Sequence, residues 1–158
     1  MNVKKISLVL VVLLALVASL GAISADDHAD IKFANGLLSI EHSTFKIPTG
    51  FVENQNARLV DQHTTILNNV PVEESKAVFT QGNKNISVSY YEIDDGVTVH
   101  LDPVGNTVSK TIAGHQGLFE QQPDGSCAFM FSVPNGDAND LVQIVAPDEQ
   151  TIATLITG

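Results

Sequence analysis

The chain has a single cysteine, Cys127, in 158 residues. No disulfide can form within it, so a buried core has to hold the fold. Basic residues are scarce: eight lysines and arginines against eighteen acids, for a formal net charge of −10. Such a surface repels nucleic acid and anionic lipid headgroups, which bind basic patches. The acids are dispersed, with doublets at Asp26-Asp27, Glu73-Glu74 and Asp94-Asp95. There is no internal repeat and no low-complexity tract. Motifs that carry chemistry are also missing. There is no Gly-x-Ser-x-Gly elbow, no zinc motif and no phosphate-binding glycine loop. Asp137, Asn139 and Asp140 offer oxygen ligands for Ca²⁺, but the glycine and closing glutamate of an EF-hand loop are absent.

What the chain does have is one long apolar run. Ile6 to Ala25 carries no charge; Lys4 and Lys5 precede it, and Asp26 and Asp27 follow. A basic start, an apolar centre and a small-residue end make a secretory signal peptide over residues 1–25, with Ala25 at the cleavage position. The competing reading is an uncleaved N-terminal anchor, since the run is near the ~20 residues that span a bilayer. The two lysines put the remaining domain outside in either case, secreted or at the cell surface by the general secretory route. Contact with the membrane is expected only through residues 6–25, if they stay. Lys4 and Lys5 lie in this leader, which holds no acid, so residues 26–158 are more acidic than the whole chain.

Residues 26–158 have the size of a single domain. Asn35-Gly36 between β-prone runs, Ile31 to Ala34 and Leu37 to Ile47, signals a hairpin. Leu59, Val60, His63, Ile66, Leu67 and Val70 share a helical face, which predicts a short helix within Val52 to Val70, ended by Pro71. Ala77 to Gln81 and Ile86 to Ile93 flank Gly82-Asn83-Lys84-Asn85, read as a four-residue hairpin loop. The apolar phase changes at Tyr90-Tyr91, which predicts a bulge. Val97, Val99 and Leu101 alternate with polar residues, which predicts another strand. Thr111 to Gln121 is strand-like but broken at Gly114 and Gly117, and Gln122-Pro123-Asp124-Gly125 makes a turn. Cys127, Phe129, Phe131 and Val133 alternate, so the Cys127 thiol points into the core and is not a catalytic nucleophile. Pro134-Asn135-Gly136-Asp137 turns the chain into the strand Leu141 to Ala146. Asp148 caps a C-terminal helix with Ile152, Leu155 and Ile156 on its apolar face. The expected class is α+β. It has an antiparallel β-sheet of about six strands with a C-terminal meander, and one or two packed helices including a C-terminal one. An N-terminal signal or anchor helix precedes it.

Three segments together resemble a group of small exported domains of methanogenic archaea. They are Phe45 to Phe51 with its Ile47-Pro48-Thr49-Gly50-Phe51 run, the bend Thr111-Ile112-Ala113-Gly114-His115-Gln116-Gly117, and the final strand and Asp-capped helix within Asp140 to Ile156. The order of elements is similar to the PsbP-like α+β layout, an antiparallel sheet with helices packed on it. The resemblance implies export and this fold class; it implies no catalytic residues.

Of the five histidines, His42, His63, His100 and His115 lack ligand spacing, and His63 is expected to face the core. The fifth is placed differently. Cleavage after Ala25 leaves a mature start Asp26-Asp27-His28, whose amine, two amides and imidazole give four coplanar nitrogens suited to Cu(II) or Ni(II). Asn85-Ile86-Ser87 is a glycosylation sequon. The expected function is a non-enzymatic envelope or extracellular domain that binds a protein or cell-surface polymer. The alternatives are a metal-handling protein using Asp26, Asp27 and His28 or a composite histidine site, and a hydrolase with dispersed carboxylates.

Overall fold

The computed structural model describes residues 31–66, 69–136 and 138–157. The leader, with its expected helix, and the Asp26-Asp27-His28 start lie outside the described residues.

Two antiparallel sheets are built in succession. The first is a three-stranded hairpin pair: β1 (Lys32–Ala34), β2 (Leu37–Ile40) and β3 (Ser43–Lys46). The second takes eight strands. In chain order they are β4 (Val52–Glu53), β5 (Leu59–Ile66), β6 (Val70–Gln81), β7 (Lys84–Ile93), β8 (Val108–Ile112), β9 (His115–Gln121), β10 (Cys127–Asn135) and β11 (Ala138–Ala146). In space they lie β4-β6-β7-β11-β10-β9-β8, with β5 paired beside β4 along β6. A C-terminal helix, α1 (Glu149–Ile156), closes the chain. The class is α+β, mostly antiparallel sheet, with more strands than the six expected. The expected meander is present as β8 to β11.

One face of the large sheet meets the small sheet and α1. Phe79, Ile86, Val88, Tyr90, Phe129, Phe131, Val142 and Ile144 pack there against Leu38, Ile40, Phe45, Ile152 and Leu155. The other face carries a smaller cluster of Ile66, Val72, Tyr91, Ile93, Ala128, Met130 and Leu141. β7, β10 and β11 are buried on both sides, so they tolerate apolar residues at consecutive positions.

That double burial accounts for one correction. The β6–β7 register runs without a shift from Val72–Ile93 to Gln81–Lys84, so there is no bulge at Tyr90-Tyr91. Both tyrosines are buried, one on each face. A second correction concerns Val52 to Val70, which holds β4, a 3-10 turn over Gln55–Ala57, and β5 rather than a helix. The β-branched run Thr64-Thr65-Ile66 pairs with Val72-Pro71-Val70, and tertiary pairing overrides the helical spacing. Pro71 is tolerated because the ladder to β7 begins only at Val72, so no bond is lost on that side. Val97 to Leu101 is a loop, not a strand, and its Val99 and Leu101 pack on the smaller cluster. The β6–β7 connection is tighter than expected: Gln81 pairs with Lys84, leaving Gly82-Asn83 as the loop. Leu37 to Ile47 is two strands, reversed at Glu41-His42.

The remaining turn chemistry is as expected. Asn35 and Gly36 take φ of 52° and 76° in the β1–β2 hairpin, and Gly125 takes 89° after Pro123. The run Thr111 to Gln121 is broken at Gly114, in the turn between β8 and β9, but not at Gly117, which lies inside β9. Gly117 is needed for space, since a Cβ there would run into the Met130 carbonyl. Asp148 accepts a 2.7 Å hydrogen bond from the Thr151 amide at the start of α1.

Candidate acidic cleft

The core face of the large sheet changes character along its strands. On β6 the inward row reads Phe79, Ala77, Ser75, Glu73; on β7 it reads Ile86, Val88, Tyr90, Glu92; on β11 it reads Ile144, Val142, Asp140. Register aligns these rows. Glu73 stands opposite Glu92, Ser75 opposite Tyr90, and Tyr90 opposite Val142. An apolar floor thus ends in carboxylates at one end of the sheet. The Glu41-His42 turn of the small sheet meets the same end, and a cleft of about 330 Å³ lies between them. Its described lining is Glu41, His42, Glu73, Tyr90, Glu92, Asn135 and Asp140.

Asp140 anchors this lining. It is fully buried, yet each oxygen is satisfied. Oδ2 accepts from the Tyr90 hydroxyl at 2.7 Å and from Asn135 Nδ2 at 2.8 Å; Oδ1 accepts from the Ile93 amide at 3.0 Å. Bonds to an ionised acceptor are the strong kind, and three donors hold a buried charge that water would otherwise have to solvate. The arrangement ties β7, β10 and β11 together where the sheet turns polar. Burial, and then the bond to Asp140, push the Tyr90 hydroxyl far above its ordinary range, so it stays a donor.

The other acids are less well provided for. Glu41 is held above the ordinary glutamate range by partial burial first, then by the charges of Glu92 and Asp61; His42 opposes the shift. Glu92 is raised by burial, then by Asp140, Glu73 and Asp61, again opposed by His42. Glu73 lies 3.2 Å from His63 Nδ1 on β5. Glu41 itself sits at φ 49°, in the left-handed region that costs a non-glycine residue backbone strain. The described lining contains no lysine or arginine. This is a polar, negatively charged recess whose groups can attract and orient a cation and can exchange protons. Among the described residues, no three His, Cys, Asp or Glu side chains converge to hold a metal ion.

The residues singled out from sequence are dispersed. Asn85 is exposed at the start of β7, away from the cleft lining. Cys127 is buried, and burial followed by the charges of Glu149 and Asp148 raises its thiol, as an inert core cysteine requires. His63 is not in the core; its side chain is 85% exposed. The helical face that pointed it inward does not exist. His100 is exposed in the 94–107 loop, and His115 packs its ring 4.6 Å from that of Phe131. Asn139 and Asp140 fall on opposite sides of β11, one exposed and one buried, so they do not converge as Ca²⁺ ligands. Sequence reasoning missed Glu41, Glu73, Tyr90, Glu92 and Asn135 as a group. The signal for part of it was present: Ile86, Val88 and Tyr90 continue in phase to Glu92, a charge at the next inward position.

No protein-family model matches the chain, and neither a curated protein nor a solved structure matches it significantly.

Proposed function

We propose that this protein is an exported envelope or extracellular domain that binds a protein or surface polymer through a cationic group seated in the acidic cleft. The observation that carries the reading is the lining itself. Four carboxylates from the β2–β3 turn, β6, β7 and β11 share a recess of about 330 Å³ with no described lysine or arginine. Like charges so close are unfavourable in the empty cleft, and a guest cation relieves them. The accepting carboxylates are spread over the walls rather than focused on a point. This suits an ammonium or a planar guanidinium better than a bare metal ion. The apolar leader Ile6 to Ala25 supports export.

N-acetyl-arginine amide tests the reading, with its neutral citrulline counterpart as control. Backbone NMR shifts of Glu41, His42, Glu73, Glu92 and Asn135 should move with the arginine compound alone. Equal or absent responses to the two compounds sink the reading.

A second reading, a hydrolase, draws on Glu41 and Glu92, whose carboxyls hold protons at higher pH than ordinary glutamates. It ranks below binding because Glu92 is exposed and the described lining includes no apolar wall to exclude water. Release of nitrophenol from a panel of nitrophenyl glycosides, lost in Glu92→Gln, would raise it above the first.

A further inference from the structure

Cation capture in this cleft has a consequence for protons, and the inference rests on the cationic-group reading above. The cleft joins two layers. Glu41 and His42 come from the turn of the small sheet; Glu73, Glu92 and Asp140 come from the end of the large one. Of these carboxylates, Asp140 is fully buried and held by three donors. Glu41 and Glu92 face Asp140, and Glu41 faces Glu92 as well. Glu73 stands opposite Glu92 in register, so the ladder itself forces a like-charge pair.

We infer that the cleft is a proton-linked grip, in which a bound cation displaces protons from Glu41 and Glu92 and mild acid releases the cation. The exchange balances simply. A protonated carboxyl gives its proton to the buffer, the carboxylate remaining takes the cation as counter-ion, and acid reverses both steps. The acids facing the pair act in one direction, and His42 opposes them. Asp61 on β5, Glu73 on β6 and Asp140 on β11 favour a proton on Glu41 or Glu92 while the cleft is empty. His63 lies 3.2 Å from Glu73, on the neighbouring strand β5. The Tyr90 hydroxyl stays protonated throughout and Asn135 carries no charge, so both only position Asp140. A cell-surface domain with this device holds its partner at neutral pH and lets go in an acidified surrounding.

Calorimetric titration of the purified protein with N-acetyl-arginine amide tests this. It is run at pH 7.5 and pH 5.0, each in two buffers of different ionisation enthalpy. The expected result is binding at pH 7.5, affinity at least about tenfold weaker at pH 5.0, and a buffer-dependent heat in mild acid that reports proton release. Linkage sets the scale: each proton displaced costs about tenfold in affinity per pH unit through the window. Binding that is equal at both pH values, with no buffer dependence, overturns the proton linkage and leaves the cationic-group reading standing. Absence of binding at pH 7.5 removes both. Variants assign the proton. Glu41→Gln and Glu92→Gln should each lower the number of protons released. Release undiminished in both glutamate variants overturns the assignment to the carboxyl pair.

Discussion

Glu73 and Glu92 are register partners across the β6–β7 ladder, two carboxylates opposite each other on the core face of the sheet. Cross-strand neighbours of like charge destabilise a sheet. This pair also shares its recess with Glu41 and the buried Asp140. Replacing Glu92 by Gln should therefore raise stability at neutral pH, by a few tenths of a kcal/mol. The gain should shrink in high salt, which screens the repulsion. Urea unfolding at low and high salt measures it; a destabilised variant at low salt would show that the pair is not repulsive.

Acid titration should give an unusual stability profile. Glu41 and Glu92 have folded values above their unfolded ones, so the folded state binds more protons in the window between the two. Their contribution grows as pH falls from neutral through that window. Asp124 and Asp148 have the opposite sign. Hydrogen bonds from Ser126 and Thr151 hold them below the ordinary aspartate range, and their stabilisation is lost as pH falls through those lowered values. The melting temperature should peak in mild acid and then drop. A steady fall from pH 7 downward, followed by scanning calorimetry, is the contrary outcome.

Tyr90→Phe removes one of the three donors on Asp140 and keeps the ring in the core. Hydrogen bonds to charged groups contribute about 1.5–3 kcal/mol, and the variant should lose stability in that range. Asn135→Ala, which removes an outer donor at 2.8 Å, should be similar in sign. A neutral Tyr90→Phe in chemical denaturation would mean that Asp140 is satisfied without it.

Gly117→Ala places a methyl group against the Met130 carbonyl and the Phe129 ring in the interior of the β9–β10 pair. Neither neighbour is a flexible chain end. Overpacking of this kind costs about 1–3 kcal/mol. Gly125→Ala, at a positive φ but with open space around it, should cost less. Comparing the two midpoints in urea separates steric from backbone effects.

Asp148→Ala should cost about 1 kcal/mol by freeing the Thr151 amide at the start of α1. Asp148→Ser keeps an acceptor and should recover most of it. Equal losses in the two variants would mean that the cap bond does not matter.

Much of the fold was legible because it depends on nearest neighbours. Asn35-Gly36, the Pro123-Asp124-Gly125 turn, the Cys127 to Phe131 alternation and the Asp148 cap are each decided within a few residues, and each is where the spacing put it. The errors fall where neighbours in space outvote neighbours in sequence. Leu59 to Ile66 has helical spacing, but pairing with β6 takes it. Tyr90 and Tyr91 break a two-residue period because β7 is buried on both faces. The cleft was the least legible feature. Its acids are far apart in the chain, and Glu41 was hidden inside what read as one continuous strand.

By itself the sequence determined the sign of the surface, the absence of any internal disulfide, the turns, and which strands carry apolar residues on alternate positions. These follow from composition, from glycine and proline backbone preferences, and from the two-residue period of a strand. Only the tertiary structure decided that Glu41, Glu73, Glu92 and Asp140 share one recess. That depends on the β6–β7–β11 register and on where the small sheet lands on the large one. Register is a long-range choice made by burying the apolar rows of several strands together, and the polar ends of those rows are carried along with it.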